Sequence, residues 1–241
     1  MADHKLLRLS AILLLIGELV LTVLTLFVHA GGGDTIEATY ALTAASGNWE
    51  IVHLGQFAAT AVLLAGLLVL PFALNVSAGA PRWVGFFAAI SVGVALALAA
   101  VQYGLDAVAN KQAEMAWVSA PAAEKAARFA SAQAIRWLEW GIASYHDFVF
   151  GFALVLLAVV VVWTARIPRP IGVLMGLSSL AFFVLGWQEG TRGFTPANTV
   201  PADSGYGLLS ALTLWLLIVA WRRKEPARTT IGTESVKAAV G

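Results

Sequence analysis

Six apolar runs, each close to the thickness of a bilayer's hydrocarbon core and separated by more polar connections, constrain this chain more than any other feature. They fall at about 6–28, 51–74, 83–103, 146–165, 171–187 and 206–221. Backbone amides inside lipid have no water to bond, so runs of this kind must form helices that satisfy themselves. The expected fold is therefore all-α, a polytopic membrane helix bundle of six transmembrane spans, with the lipid bilayer as its first partner. Composition agrees: 59% hydrophobic residues against 12% charged is too apolar for a soluble domain. The first run also has the position of a secretory signal peptide, but its length and the acid Glu18 near its middle favour a retained span. No basic run interleaved with aromatics points to nucleic acid. The chain has no cysteine, which excludes disulfides and thiolate sites, so any metal or haem ligand must be His, carboxylate or Met.

The stretch from Pro121 to Ala165 changes solvent halfway along without a break in helical pattern. Its first half carries Glu124, Lys125, Arg128, Arg136 and Glu139, whereas Phe148 to Trp163 carries no charge. The third run likewise continues through Gln102, Asp106 and Lys111, so the third and fourth helices are expected to extend outside the membrane. Asp34 to Glu50 reads as an acidic loop ending in an interfacial anchor, Trp49, and Gln188 to Ser204 as a polar loop. Gly172 and Gly176 form a small-x3-small face on the fifth span. Residues 222–241 read as a polar, disordered cytoplasmic tail. Lys5, Arg8, Arg82, Arg166, Arg169 and the basic start of the tail gather on one side, and most acids on the other. That asymmetry puts both termini in the cytoplasm.

His53-x3-Phe57 opens the second and third spans as His146-x3-Phe150 opens the fourth and fifth, and Gln102 and Gln188 close the two pairs. The echo has two readings, a duplication about an axis along the membrane normal or the tendency of apolar helices to align with one another. The motifs HAGGGD from His29, Trp49-x3-His53 followed by LGQF, VQYGLD from Val101 and RWLEW from Arg136 resemble a group of uncharacterised prokaryotic multi-pass membrane proteins. The resemblance implies a prokaryotic cytoplasmic (inner) membrane and about six helices. It brings no activity with it and therefore no functional residue.

Polar residues inside apolar spans are the candidate site. A carboxylate at mid-membrane costs several kcal/mol, about 3 by insertion scales, so Glu18 must be buried, paired or protonated. Glu18, Thr22, Thr25 and His29 follow at i, i+4, i+7 and i+11 and share one helical stripe. Gln56 and Thr60 continue the face of His53, and Gln102 shares a face with Asp106. Glu18, Thr22, Thr25, His29, Gln56, Gln102 and Asp106 are thus candidates for a ligand or proton path, or else for hydrogen bonds that lock helices together. His29, His53 and His146 all fall at the predicted outer ends of their spans, where they are candidate ligands of a metal ion, or of a haem between His53 and His146. Taken singly, each is equally an interfacial side chain bonded to a nearby acid. Arg136, Glu139, Ala143 and His146 share one helical face where water gives way to lipid; Arg136 and Glu139, three apart, make a routine surface salt bridge if exposed, and Asp106 reads as a solvated helix cap. No HExxH or other catalytic signature is present. The expected role is binding or translocation of a small ligand or proton through an outward-facing polar chamber. The competing roles are a membrane redox protein and a structural subunit, in a homo-oligomer or a larger membrane complex.

Overall fold

The computed structural model describes residues 2–29 and 32–222, so residues 223–241 of the expected tail lie outside the described residues. Among the described residues every regular element is helical, and six helices are long and apolar enough to cross a membrane. In chain order they are α1 (His4–Val23, continued by a π-helical turn, Leu24–Val28), α2 (Ile36–Ala45), α3 (Trp49–Ala73) and α4 (Ala80–Gly104). A π-helical segment, Leu105–Asn110, joins α4 to α5 (Lys111–Val118); then come α6 (Lys125–Thr164), α7 (Arg169–Arg192) and α8 (Thr199–Arg222). Local chemistry sets the boundaries. Asp3 caps α1 by accepting from the amides of Lys5 and Leu6, and prolines occupy the first turns of α4 and α7. An outward belt remains bare: Leu19 is 60%, Leu26 69% and Phe27 79% exposed. Only lipid makes such a surface inexpensive.

The six long helices close into a ring: α1 packs on α3, α3 on α4, α4 on α6, α6 on α7, α7 on α8, and α8 back on α1. An even number of crossings puts both ends of the described chain on one face, called here the terminal face. The half of the ring nearest that face is filled by leucines, among them Leu14, Leu64, Leu67, Leu154, Leu157 and Leu212. Lipid gives no hydrophobic drive between helices, so association depends on close packing and interhelical hydrogen bonds. Four serines supply the same bond, each donating to a glycine carbonyl across an interface: Ser10 to Gly66, Ser144 to Gly186, Ser178 to Gly205 and Ser179 to Gly151, all at 2.7–2.8 Å. Each contributes roughly 0.6 kcal/mol by the average for such bonds. Gly172 allows the approach of α7 to α6, since a Cβ there would sit 3.0 Å from the Ala158 carbonyl oxygen, whereas one at Gly176 would meet only ordinary contact at 3.9 Å.

On the opposite face α6, at forty residues, extends about 60 Å, twice the roughly 30 Å hydrocarbon core. Its first half stands outside the membrane and packs against α5. The stretch expected to be an acidic loop contains α2 instead. Thr35 caps it by accepting from the Ala38 amide, and Lys111 closes its other end by donating to the carbonyls of Thr43, Ala44 and Ser46. A charge placed on a helix C-terminus satisfies carbonyls that would otherwise be buried without a donor. Likewise α7 and α8 reach well into the expected 188–204 loop, leaving only a short turn braced by the Thr195–Asn198 capping box.

Candidate functional site

Where the leucine filling stops, the ring encloses a cavity of about 530 Å³ open toward the face opposite the termini. Its floor is Glu18, 7% exposed, whose carboxylate accepts a 2.8 Å bond from the Thr213 hydroxyl of α8, with Ser210 of the same helix beside it. Thr22 and Thr25 climb the α1 wall above it, and Gln56 donates to the Thr25 hydroxyl at 3.0 Å from α3. Gln102, Tyr103 and Tyr206 complete the wall, the Tyr103 hydroxyl lying 3.2 Å from that of Thr60. Glu18, Asp106 and Asp203 line the space, and no lysine or arginine does.

The rim is a neck. His29, Asp106 and Phe194 border both this chamber and an outer vestibule of about 760 Å³ whose walls include Asp34, Tyr40, Arg136 and Trp140. The His29 and His53 rings lie 5.0 Å apart, and Nε2 of His53 is 2.8 Å from Oδ2 of Asp106. Both π-helical segments end or pass here: His29 follows the first directly, and Asp106 lies within the second. Such segments concentrate where function requires a side chain to be re-aimed. Trp49, expected as an interfacial anchor, is 5% exposed, and its indole donates to the Asp106 carbonyl at 2.9 Å.

Asp106 is not the solvated cap that its position suggested. Arg136 reaches its Oδ1 at 2.9 Å, reaches Glu139 at 3.5 Å and pairs with Glu114, so the expected surface salt bridge is a buried hub. Glu114 and Glu139 are fully buried and Arg136 is 6% exposed, its guanidinium over the Tyr40 ring. All four ionisable groups lie beyond the membrane-spanning parts of α4 and α6. Burial alone would raise the Asp106 carboxyl, but the hydrogen bond and charge of His53, with the charge of Arg136, hold it below the usual carboxylate value. Burial first, and then the charge of Asp106, push Glu139 well above that value. The cluster thus keeps Asp106 ionised at the expense of Glu139.

Compared with family models, curated proteins and solved structures, this chain finds no match. The site must therefore be read from its own geometry. Among the described residues, one group of three histidines or acids is close enough to share an ion: His29, His53 and Asp106. His146 is not in it. Its ring stacks on Phe150 and its Nδ1 lies 3.2 Å from Asp147, on a helix that packs against α4 and α7 while His53 sits on α3. Glu114, Arg136, Asp203, Tyr103 and Tyr206 were not among the candidate site residues. Lys111–Glu114 and Arg136–Glu139 have the spacing of ordinary surface pairs, Asp203 falls in an expected polar loop, and tyrosines at span ends are read first as membrane-interface residues.

Proposed function

We propose that this integral membrane protein receives a small, positively charged organic amine from the non-cytoplasmic side. The observation that carries the reading is the lining of the inner chamber, which holds three acids, no lysine or arginine, and histidines only at the neck, and ends on a buried carboxylate. A low-dielectric wall around like charges focuses their field and concentrates cations. Tyr103, Tyr206 and Phe194 add ring faces that attract ammonium groups. The volume suits a ligand of a few to about twenty heavy atoms. Below Glu18 the leucine packing closes the path, so the chamber is a receiving site rather than an open pore. The basic terminal face, where Arg8 bonds the Ala220 carbonyl at 3.2 Å, supports a cytoplasmic assignment for both termini, and a prokaryotic inner membrane is the setting the motif resemblance suggests.

Thermal unfolding of the purified protein in detergent tests the reading. Trimethylammonium, phenethylammonium and ethanolammonium ions should include at least one that raises the midpoint saturably, and Glu18→Gln should abolish that rise while folding normally. Equal shifts from acetate, phenylacetate and methanesulfonate, or none from any of the six, would overturn it.

A further inference from the structure

We infer that the neck between vestibule and chamber is a binding site for a divalent first-row transition ion of the zinc type, held by His29, His53 and Asp106. Three donor atoms of these side chains lie within 4.8 Å of one another. A tetrahedral ion at about 2.1 Å from each donor would space them by about 3.4 Å. His53 Nε2 and Asp106 Oδ2 are 2.8 Å apart and no pair exceeds 4.8 Å, so small side-chain rotations close the set. Imidazole and carboxylate together suit zinc, cobalt or copper and disfavour calcium and magnesium.

The surroundings are those that a metal site needs. Nδ1 of His53 lies 2.8 Å from the Trp49 carbonyl oxygen, which can only accept, so that nitrogen carries the ring proton. Nε2 is then aimed at a carboxylate, an arrangement that calls for a positive species: a second proton between the two atoms, or a metal ion beside them once they part to about 3.4 Å. A backbone carbonyl holding the far nitrogen is the usual support of a ligating histidine. Asp106 is supported in the same way, its other oxygen accepting from Arg136 at 2.9 Å and from Asn110 at 3.2 Å. The guanidinium is shared with Glu114 and holds only the Oδ1 of Asp106, so Oδ2 is left to face the His53 imidazole. Two cavities border the site and supply an entry path and an open fourth position. The inference uses the proposed chamber only in needing a route from the face opposite the termini.

Chelator-stripped protein titrated with Co²⁺ should bind one ion per chain, develop the visible bands of four-coordinate cobalt and lose them to Zn²⁺. His29→Ala and His53→Ala should each weaken binding by more than about 100-fold, beyond the range that loss of an outer partner produces. His4→Ala, at the terminal face, should leave binding unchanged. Circular dichroism reports whether a variant has folded. If His29→Ala does not fold, His29→Cys should keep the ion and add a thiolate-to-cobalt charge-transfer band, the chain having no other cysteine. No cobalt bound above a detergent blank, or binding undiminished in both alanine variants, would overturn the inference. Ammonium-dependent stabilisation by Glu18 would survive that result, so the two readings fail separately.

Discussion

At the scale of single residues, the hub around Arg136 is the strongest physical commitment in the structure. Removing one partner of a buried ion cluster leaves the others uncompensated, at a cost of about 3–5 kcal/mol. Arg136→Met should therefore unfold the protein at markedly lower temperature, and Arg136→Lys should not restore it, because an ammonium cannot bond Asp106, Glu114 and Glu139 in one planar fork. Near wild-type unfolding midpoints for either variant would contradict this. Glu139 gives the pH dependence. It faces Arg136, Asp106 and Glu189, and its folded value stands above the unfolded 4.5, so the fold favours its neutral form. The stability it contributes is complete below pH about 4.5 and is lost as pH rises toward the folded value. Unfolding midpoints measured across that window should fall less steeply for Glu139→Gln than for the wild type, and parallel slopes would remove the assignment. The sequence showed some members of this hub but not their assembly. Arg136 and Glu139 stand three apart like any surface pair, and nothing local shows that α5 covers them.

At the scale of elements, the contacts between helices are set where side chains are smallest. A Cβ on Gly17 of α1 would lie 2.7 Å from the Leu63 Cα of α3, whereas Gly176 has ordinary room. Gly17→Ala should cost about 1–3 kcal/mol, in the manner of an overpacked core, and Gly176→Ala close to nothing. Chemical or thermal unfolding in detergent distinguishes the two, and equal losses would mean that the α1–α3 approach is wrong. The long helices were legible because hydropathy and length together dictate them. The α1 stripe from Glu18 to His29 was legible as spacing, and in the structure it forms one wall of one cavity. What the spacing could not show was which helix faces it, since periodicity fixes a face but not a neighbour. Short α2 and the two π-helical segments were not legible: ten residues of mixed polarity carry no period, and an extra residue per turn leaves no mark on composition.

At the scale of the whole molecule, the closed ring of six helices is plugged by leucines at one end and hollow at the other, and every functional reading depends on that asymmetry. Orientation follows from charge: a phosphatase reporter fused after residue 78 should be inactive and one fused after residue 120 active in a bacterial host, and the reverse would invert the assigned sides. The absence of native cysteine permits the most direct test of the hollow end. Thr22→Cys lies below the neck on the α1 wall, and membrane-impermeant thiosulfonates can be applied to cells or to sealed vesicles of known orientation. A trimethylammonium-ethyl reagent added from the non-cytoplasmic side should label it at least about tenfold faster than a sulfonatoethyl reagent, because acids line the approach. Equal rates would contradict the acidic chamber, and no labelling by either reagent in folded protein would contradict the chamber itself.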